Sequence, residues 1–199
     1  MLTLRPITPT DNAAVAHVIR TVMPEFDCVG EGFSINDPEV ENMAGAYAGE
    51  RADFFVIEAE VGGPIVTRET FFGPESSSGP LNLFQGLGGA AAGAMEGFGG
   101  AIIVGCAGFA PLTGGDGTIC ELRKMYMLKE ARGYGGGRSL MDACLEGARE
   151  AGYEKMYLET VSAMKGAAAV YKKYGFETLS WPLGKTGHGG CDVYMVRGL

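Results

Sequence analysis

The chain has 199 residues, of which 46% are hydrophobic and 20% are charged, and this balance is typical of a folded domain and excludes wholesale disorder. Its five cysteines are scattered without a Cys-x-x-Cys pair, which argues against a disulfide framework or a zinc ribbon and favours a reducing compartment. The net charge of −8 argues against general nucleic-acid binding, and the first residues lack the apolar run of a signal peptide. We therefore expect a cytoplasmic protein with no nucleic-acid or membrane partner.

The charge is unevenly distributed along the chain. Residues 1–118 hold 4 Lys and Arg against 15 Asp and Glu, whereas residues 119–199 hold 12 against 9. This distribution suits a protein that holds an anion with its second half and a cation with its first, although random variation of surface charge explains it equally well.

The first part of the chain contains two predicted helices and two predicted strands. A strand over 2–5 leads to residues 8–11 (Thr-Pro-Thr-Asp), which have the Thr cap, early Pro and acidic residue of a helix start. Apolar residues then recur at helical spacing as far as Pro24. A second helix is predicted to open at Asp37, and an aromatic and β-branched run within 53–60 predicts a strand. The apolar face of the second helix is predicted to comprise Val40, Met43, Ala44 and Tyr47.

Residues 61–100 are rich in Gly, Ala and Pro, and we interpret them as an insertion within a single domain of residues 1–199. Gly89, Gly93 and Gly97 recur every four residues and would share one face of a helix. The stretch is too weakly apolar to span a bilayer. The pattern fits either a flexible or loosely helical excursion, or a helix whose small face packs on a partner subunit.

The second half of the chain alternates strands and helices. The full element order becomes β-α-α-β-β-β-α-β-α-β-β, which predicts an α/β fold with a mixed sheet. The strands are predicted over 101–110, 118–127, 155–160, 176–179 and 191–196, and the helices over about 140–152 and 163–174.

The segment 127–141 is predicted to run from a strand through a short glycine-rich turn into a helix. Arg132, Gly135 and Gly137 give the spacing Arg-x-x-Gly-x-Gly at the mouth of that helix. Glycines let the backbone turn tightly, and a helix N-terminus offers unpaired N–H donors with a partial positive charge. We therefore predict a pyrophosphate site rather than a glycine-rich loop without a ligand. The βαβ context of a Rossmann fingerprint and the complete Walker A pattern are both missing from the sequence.

This motif and its neighbours closely resemble the GNAT superfamily of acetyl-CoA-dependent N-acetyltransferases. Matching motifs are frequent over 101–180, only the order of elements agrees over 1–60, and no resemblance is found over 61–100. The motifs that it rests on are ELRKMYM at 121–127, ARGYGGGRSL at 131–140, MYLET at 156–160 and AAAVYKKYGF at 167–176.

The resemblance implies acetyl-CoA as the co-substrate and a fold of the acyl-CoA N-acyltransferase type, and it is compatible with a homodimer. No His, Asp or Cys cluster has the spacing of a metal site, so we expect no metal. The resemblance further implies that backbone N–H groups of the turn hold the pyrophosphate, while the main chain of the preceding strand hydrogen-bonds the pantetheine arm. The turn residues are Arg132, Gly133, Tyr134, Gly135, Gly136, Gly137 and Arg138, and the strand residues are Met125, Tyr126 and Met127.

The resemblance also implies two catalytic residues. Tyr171 falls where the family often has a tyrosine near the thioester sulfur, so it would protonate the departing thiolate; the alternative is a packed aromatic residue with a partnered hydroxyl. Glu121 lies where the family often places a carboxylate base; the alternative is a surface ion pair with Arg123 or Lys124. The asparagine that the family often places seven residues before the tyrosine is replaced here by Met164.

The acceptor is expected between the loop 24–36 and the loop that contains His188, since such loops border the acceptor pocket in this family. Carboxylates interleaved with aromatic rings, among them Glu25, Phe26 and Phe33, suit a cation with an apolar stem. His188 is a further candidate for acceptor binding, against the alternative of a solvated loop residue. We therefore expect acetyl transfer to a primary amine of a small cationic acceptor. Two other interpretations stay open: an acyl-CoA-binding module with little or no turnover, and a nucleotide-binding domain of another kind.

Overall fold

The computed structural model describes residues 1–60 and 100–199 and places them around one seven-stranded sheet. The element order and the mixed α/β class are those that the sequence predicted. The strands are β1 (Leu2–Pro6), β2 (Asp53–Glu60), β3 (Ala101–Pro111), β4 (Ile119–Met127), β5 (Lys155–Thr160), β6 (Glu177–Leu179) and β7 (Val193–Gly198). The helices of the described ranges are α1 (Asn12–Val22), α2 (Met43–Ala46), α3 (Gly136–Glu150) and α4 (Lys165–Lys173).

The sheet has the strand order β1-β2-β3-β4-β5-β7-β6, and its neighbours pair antiparallel except for β4 and β5, which run parallel. Residues 104–110 of β3 are buried without alternation, which is the pattern of a strand covered on both faces. Helix α1 packs against β3 and β4, and helix α3 packs against β2, β3 and β4. Among residues 1–60 and 100–199, no helix is long and apolar enough to cross a membrane.

The predicted helix start after β1 consists of a 3₁₀ turn followed by an α-helix. Residues Pro9–Asp11 make one turn of 3₁₀-helix that continues directly into α1. The backbone N–H of Thr8 donates to the Asp11 carboxylate at 2.7 Å, and Arg5 donates to the same carboxylate at 2.7 and 2.8 Å. This start fixes the direction of α1, whose apolar face is buried through Val15, Val18, Ile19 and Val22.

The second predicted helix is not continuous. A 3₁₀ turn over Pro38–Glu41 ends at Asn42, and α2 that follows has only four residues. The side-chain oxygen of Asn42 accepts a hydrogen bond from the N–H of Gly45 at 3.2 Å, so Asn42 caps a new helix instead of extending the turn. Three residues of the predicted apolar face, Val40, Met43 and Tyr47, are nevertheless buried, whereas Ala44 is only half-buried.

The glycine-rich insertion predicted at 61–100 lies outside the described residues apart from Gly100, and so do the three regularly spaced glycines within it. Strand β2 before it and strand β3 after it pair directly with each other, so both described ranges belong to one sheet. The single-domain boundary of 1–199 and the two interpretations of the insertion stay predictions.

Strands β4 and β5 separate after a short parallel contact. They pair over residues 119–121, and beyond Glu121 no pairing joins the described parts of the two strands. On its other edge β4 remains paired with β3 as far as Met127, around a bulge in which Lys124 has a φ of 55°. The sheet therefore has an internal gap, with the backbone of β4 on one side and that of β5 on the other.

Candidate active site

A cavity occupies the gap between β4 and β5. Its walls come from the two strands where they separate, from the N-cap and the last turn of α4, and from the loops that follow α1 and precede β7. It brings together six residues that the sequence analysis selected: Phe33, Glu121, Met125, Tyr126, Tyr171 and His188. The other lining residues are Met23, Cys28, Ser34, Leu122, Arg123, Lys124, Leu158, Glu159, Thr160, Val161, Met164 and Cys191.

The glycine-rich turn lies at the N-terminus of α3, as predicted. Gly133 and Gly135 have φ values of 87° and 93°, in the left-handed region that favours glycine, and the helix begins directly afterwards. Among the residues that the structure describes, the backbone N–H groups of 133–137 have no hydrogen-bond acceptor. The side chains of Tyr134 and Arg138 are exposed beside them. The turn thus presents unpaired donors at a helix N-terminus, which is a suitable site for an anion.

The start of α3 packs closely against the end of β4. A Cβ atom at Gly136 would lie 2.9 Å from Cε of Met127 and 3.2 Å from Cδ1 of Leu2, so a larger residue requires the ends of these two side chains to move. The carbonyl of Met127 accepts a hydrogen bond from Nε of Arg132 at 2.9 Å. Both contacts hold the glycine-rich turn beside the open end of the gap.

Arg132 is bound by the loop that follows α1. Its Nη1 and Nη2 donate to the two carboxylate oxygens of Glu25 at 2.8 and 2.9 Å, and its guanidinium carbon lies 5.8 Å from the centre of the Phe26 ring. Glu25 and Phe26 therefore contact the glycine-rich turn and do not line the cavity, unlike Phe33 from the same loop. The sequence analysis grouped the three residues because loop composition does not reveal which carboxylate pairs with a distant arginine.

Glu121 lies where β4 and β5 separate, and its side chain is 2% exposed. Its Oε2 accepts a hydrogen bond from Nε of Arg123 at 2.6 Å, and its Oε1 lies 3.9 Å from Nδ1 of His188. Burial raises the pKa of Glu121, while the charge of Arg123 opposes the rise. The ion pair that the sequence analysis weighed against a catalytic role is thus present, but it is buried rather than at the surface. A buried carboxylate whose pKa is raised suits a base that works near neutral pH.

Tyr171 reaches the cavity from α4 and is 6% exposed. Its ring meets that of Phe176 edge-on, with the ring centres 5.9 Å apart. Burial raises the pKa of Tyr171, and no hydrogen bond to a described residue contributes to the shift. The hydroxyl therefore stays protonated and is free to donate, which a departing thiolate requires of an acid.

His188 is held at the cavity by Asp37, which the sequence analysis did not assign to the site. Its Nε2 lies 3.0 Å from Oδ2 of Asp37, and this hydrogen bond raises the pKa of His188. Asp37 also binds Nζ of Lys124, whose 1% exposed side chain reaches Glu39 at 3.2 Å as well. One signal was available in the sequence: a lysine within a buried strand needs acidic partners, although the pattern does not say which ones.

Glu159 is a second carboxylate on the cavity wall. It accepts hydrogen bonds from the hydroxyl groups of Tyr157 at 2.8 Å and Thr186 at 2.9 Å. Both contacts orient the carboxylate on β5 opposite Glu121 on β4. The cavity therefore has one acidic group on each side of the gap.

A mixed sheet that opens between two parallel strands, next to an unpaired glycine-rich helix N-terminus, defines the class of protein as an acyltransferase of the GNAT type. The chain belongs to the acetyltransferase (GNAT) family, whose model matches residues 70–176. This match begins inside 61–100, so the expectation that the resemblance fails over that segment was wrong for most of it.

Two kinds of relative agree with this assignment. The uncharacterized N-acetyltransferase YjgM of Escherichia coli (strain K12) is 32% identical over 197 residues, which are 98% of this chain and 94% of the relative. A GNAT-family acetyltransferase structure from Staphylococcus aureus Mu50 has a TM-score of 0.68 at 16% identity and covers 100% of this chain and 99% of its own. The structure of yncA, a putative acetyltransferase from Salmonella typhimurium with its cofactor acetyl-CoA, has a TM-score of 0.63 at 16% identity, with 100% and 94% coverage.

Proposed function

We propose that the protein transfers the acetyl group of acetyl-CoA to a primary amine of a small cationic acceptor, by direct attack of the amine on the thioester. The main observation in support is the gap between β4 and β5, which joins the unpaired N–H groups of the glycine-rich turn to a cavity with a buried carboxylate, Glu121. The presence of acetyl-CoA in the Salmonella typhimurium relative supports the choice of coenzyme.

The coenzyme would bind along the gap. The N–H groups of residues 133–137 would hold the pyrophosphate at the N-terminus of α3, with Arg132 and Arg138 adding positive charge. Beyond 119–121, the edge of β4 that faces the gap has no strand partner among the described residues, so the amides of 125–127 would pair with the pantetheine arm as with an added strand.

The reaction needs a base, a carbonyl-polarising group and an acid. Oε1 of Glu121 takes a proton from the ammonium group, and the neutral amine forms its bond to the thioester carbon. A main-chain N–H of 125–127 would stabilise the oxyanion. As the C–S bond breaks, Tyr171 donates a proton to the thiolate sulfur. The second proton of the nitrogen then passes through solvent to the Tyr171 phenolate, and Glu121 releases its proton to solvent. The overall reaction converts ammonium and thioester into amide, free thiol and one proton.

The cavity wall supports a cationic acceptor. The carboxylates of Glu121 and Glu159 lie on the two sides of the gap, and the ring of Phe33 adds an apolar surface. The three basic side chains in the lining, Arg123, Lys124 and His188, are already paired with acidic residues of the protein. They are therefore poor partners for an anionic acceptor, since binding one would first require these pairs to break.

The proposal is tested by measuring thiol release from acetyl-CoA across a panel of amines. We expect cationic amines to outrank amines that carry a carboxylate. We expect Glu121→Gln to lower kcat/KM about 10²- to 10⁴-fold, with the affinity for acetyl-CoA unchanged. Glu31→Gln, in the loop after α1, is the matched control because Glu31 is exposed and does not line the cavity.

Three outcomes contradict the proposal. Binding of acetyl-CoA without thiol release for any amine indicates a coenzyme-binding module. Preference for acceptors that carry a carboxylate refutes the cationic class. Full activity of the Glu121→Gln protein removes this residue from the role of base.

A further inference from the structure

We propose that His188 is a positioning residue that keeps Glu121 ionised, and that Asp37 holds the imidazole in place for this task. The inference rests on the proposed function, because it assumes that Glu121 is the base. It concerns a residue that the sequence analysis considered as a contact for the acceptor, as a titrating group or as a solvated loop residue.

The imidazole lies between two carboxylates. Its Nε2 is 3.0 Å from Oδ2 of Asp37, and its Nδ1 is 3.9 Å from Oε1 of Glu121. The second separation is that of an ion pair rather than a hydrogen bond. Since Oε2 of Glu121 is already occupied by Arg123, Oε1 is the oxygen that faces His188 and is open to an ammonium group. A doubly protonated imidazole directs one N–H toward each carboxylate.

Asp37, His188 and Glu121 form a row, and the charged groups around this row come from each element packed against it. Lys124 does not neutralise the row, because its ammonium group is bound by both Asp37 and Glu39. The net environment of the imidazole is acidic, which favours its protonated form. The charged groups are Arg123 and Lys124 on β4, Glu159 on β5, and Asp37 and Glu39 next to α2. The other titratable groups that face Glu121 are Tyr47 after α2, Tyr157 on β5 and Cys191 before β7.

The sign of the effect on Glu121 follows from its burial. Burial raises the pKa of Glu121, so when the charge of His188 is removed and only that of Arg123 is left, a larger fraction of the carboxyl is protonated near neutral pH and cannot act as a base. A protonated His188 opposes this rise, whereas a neutral one does not. The wild type should therefore exceed a variant without His188 in kcat/KM by the largest factor near neutral pH. The difference disappears at alkaline pH, because His188 of the wild type is then neutral and Glu121 is ionised in both proteins.

The experiment compares pH profiles of kcat/KM for the full-length wild type and three variants. We expect His188→Gln to lower kcat/KM about tenfold near pH 7, with recovery toward the wild-type value at alkaline pH. Asp37→Asn shifts the acid limb in the same direction by a smaller amount. Glu39→Gln is the matched control, because Glu39 binds Lys124 as Asp37 does but does not bind His188; its acid limb stays with that of the wild type.

A second measurement does not depend on turnover. Carbon-13 NMR of the Glu121 carboxyl group in the resting protein should show its midpoint move to higher pH in His188→Gln. An equal loss of kcat/KM at every pH, an unmoved carboxyl midpoint, or equal limb shifts in Asp37→Asn and Glu39→Gln would overturn the inference while leaving the acetyl transfer intact. Failure of the wild type to release thiol with any amine instead refutes the proposed function itself.

Discussion

The ion pair between Glu25 and Arg132 predicts that Glu25→Gln tightens the binding of acetyl-CoA. Both oxygens of Glu25 accept hydrogen bonds from the guanidinium group, so an incoming pyrophosphate must compete with this carboxylate for Arg132. The side chains of Arg132 and Glu25 are 35% and 29% exposed, so solvent screens the pair and its contribution is about 0.2–1 kcal/mol. Because about 1.4 kcal/mol corresponds to a tenfold change, the dissociation constant is expected to fall roughly 1.4- to 5-fold.

Isothermal titration calorimetry with acetyl-CoA measures this change directly. Glu31→Gln controls for the loss of one negative charge from the same loop, because Glu31 is exposed and forms no ion pair with a described residue. In an Arg132→Ala background, Glu25→Gln should have no further effect, since the competing pair no longer exists. An equal change in the two glutamate variants, or an undiminished effect in the Arg132→Ala background, would refute the competition and leave only a long-range charge effect.

Three further predictions concern the acid, the glycine-rich turn and the first helix. Tyr171→Phe should lower kcat on the order of 10²-fold in thiol release, with the acetyl-CoA affinity from calorimetry unchanged. Gly135→Ala should lower the free energy of unfolding in urea by about 1–2 kcal/mol, because its φ is 93°, whereas Gly166→Ala, in open space within α4, should raise it by about 0.4–1 kcal/mol. Burial alone would raise the pKa of Asp11, but the Arg5 guanidinium lowers it, so Asp11→Asn should destabilise the protein by about 1.5–3 kcal/mol at neutral pH. The unfolding free energies of wild type and this variant should converge as the pH falls through the folded-state pKa of Asp11.

Local patterns predicted the elements because the forces that start and end them act over a few residues. The bond from the N–H of Thr8 to Asp11 and the unpaired amides of the turn at 133–137 both follow from spacing in the sequence. The break at Asn42 was missed because its side chain caps a helix within a segment whose apolar spacing is unbroken. Periodicity reports which face is buried, and it does not report where the backbone bonds are interrupted.

The sequence predicted several residues that line the cavity, but not how they contact one another. Alternation along β4 would place Glu121 and Met125 on the same side, but the bulge at Lys124 changes the order of the side chains after Arg123. The pairing of Asp37 with Lys124 joins residues far apart in the chain, and no local spacing specifies it. These contacts depend on how the loops fold back over the sheet, which a single sequence does not reveal.

The short ladder between β4 and β5 has a mechanical consequence. Among the described strands, it is the one pairing that joins the part of the sheet formed by β1 to β4 to the part formed by β5 to β7. Beyond residues 119–121, no strand pairing connects the two halves of the sheet among the described residues. A bound molecule whose amide groups hydrogen-bond the facing edges of both β4 and β5 would connect the two halves of the sheet. Binding of such a molecule should therefore slow deuterium uptake at residues 158–160 together with 122–127, far more than at the outer strands.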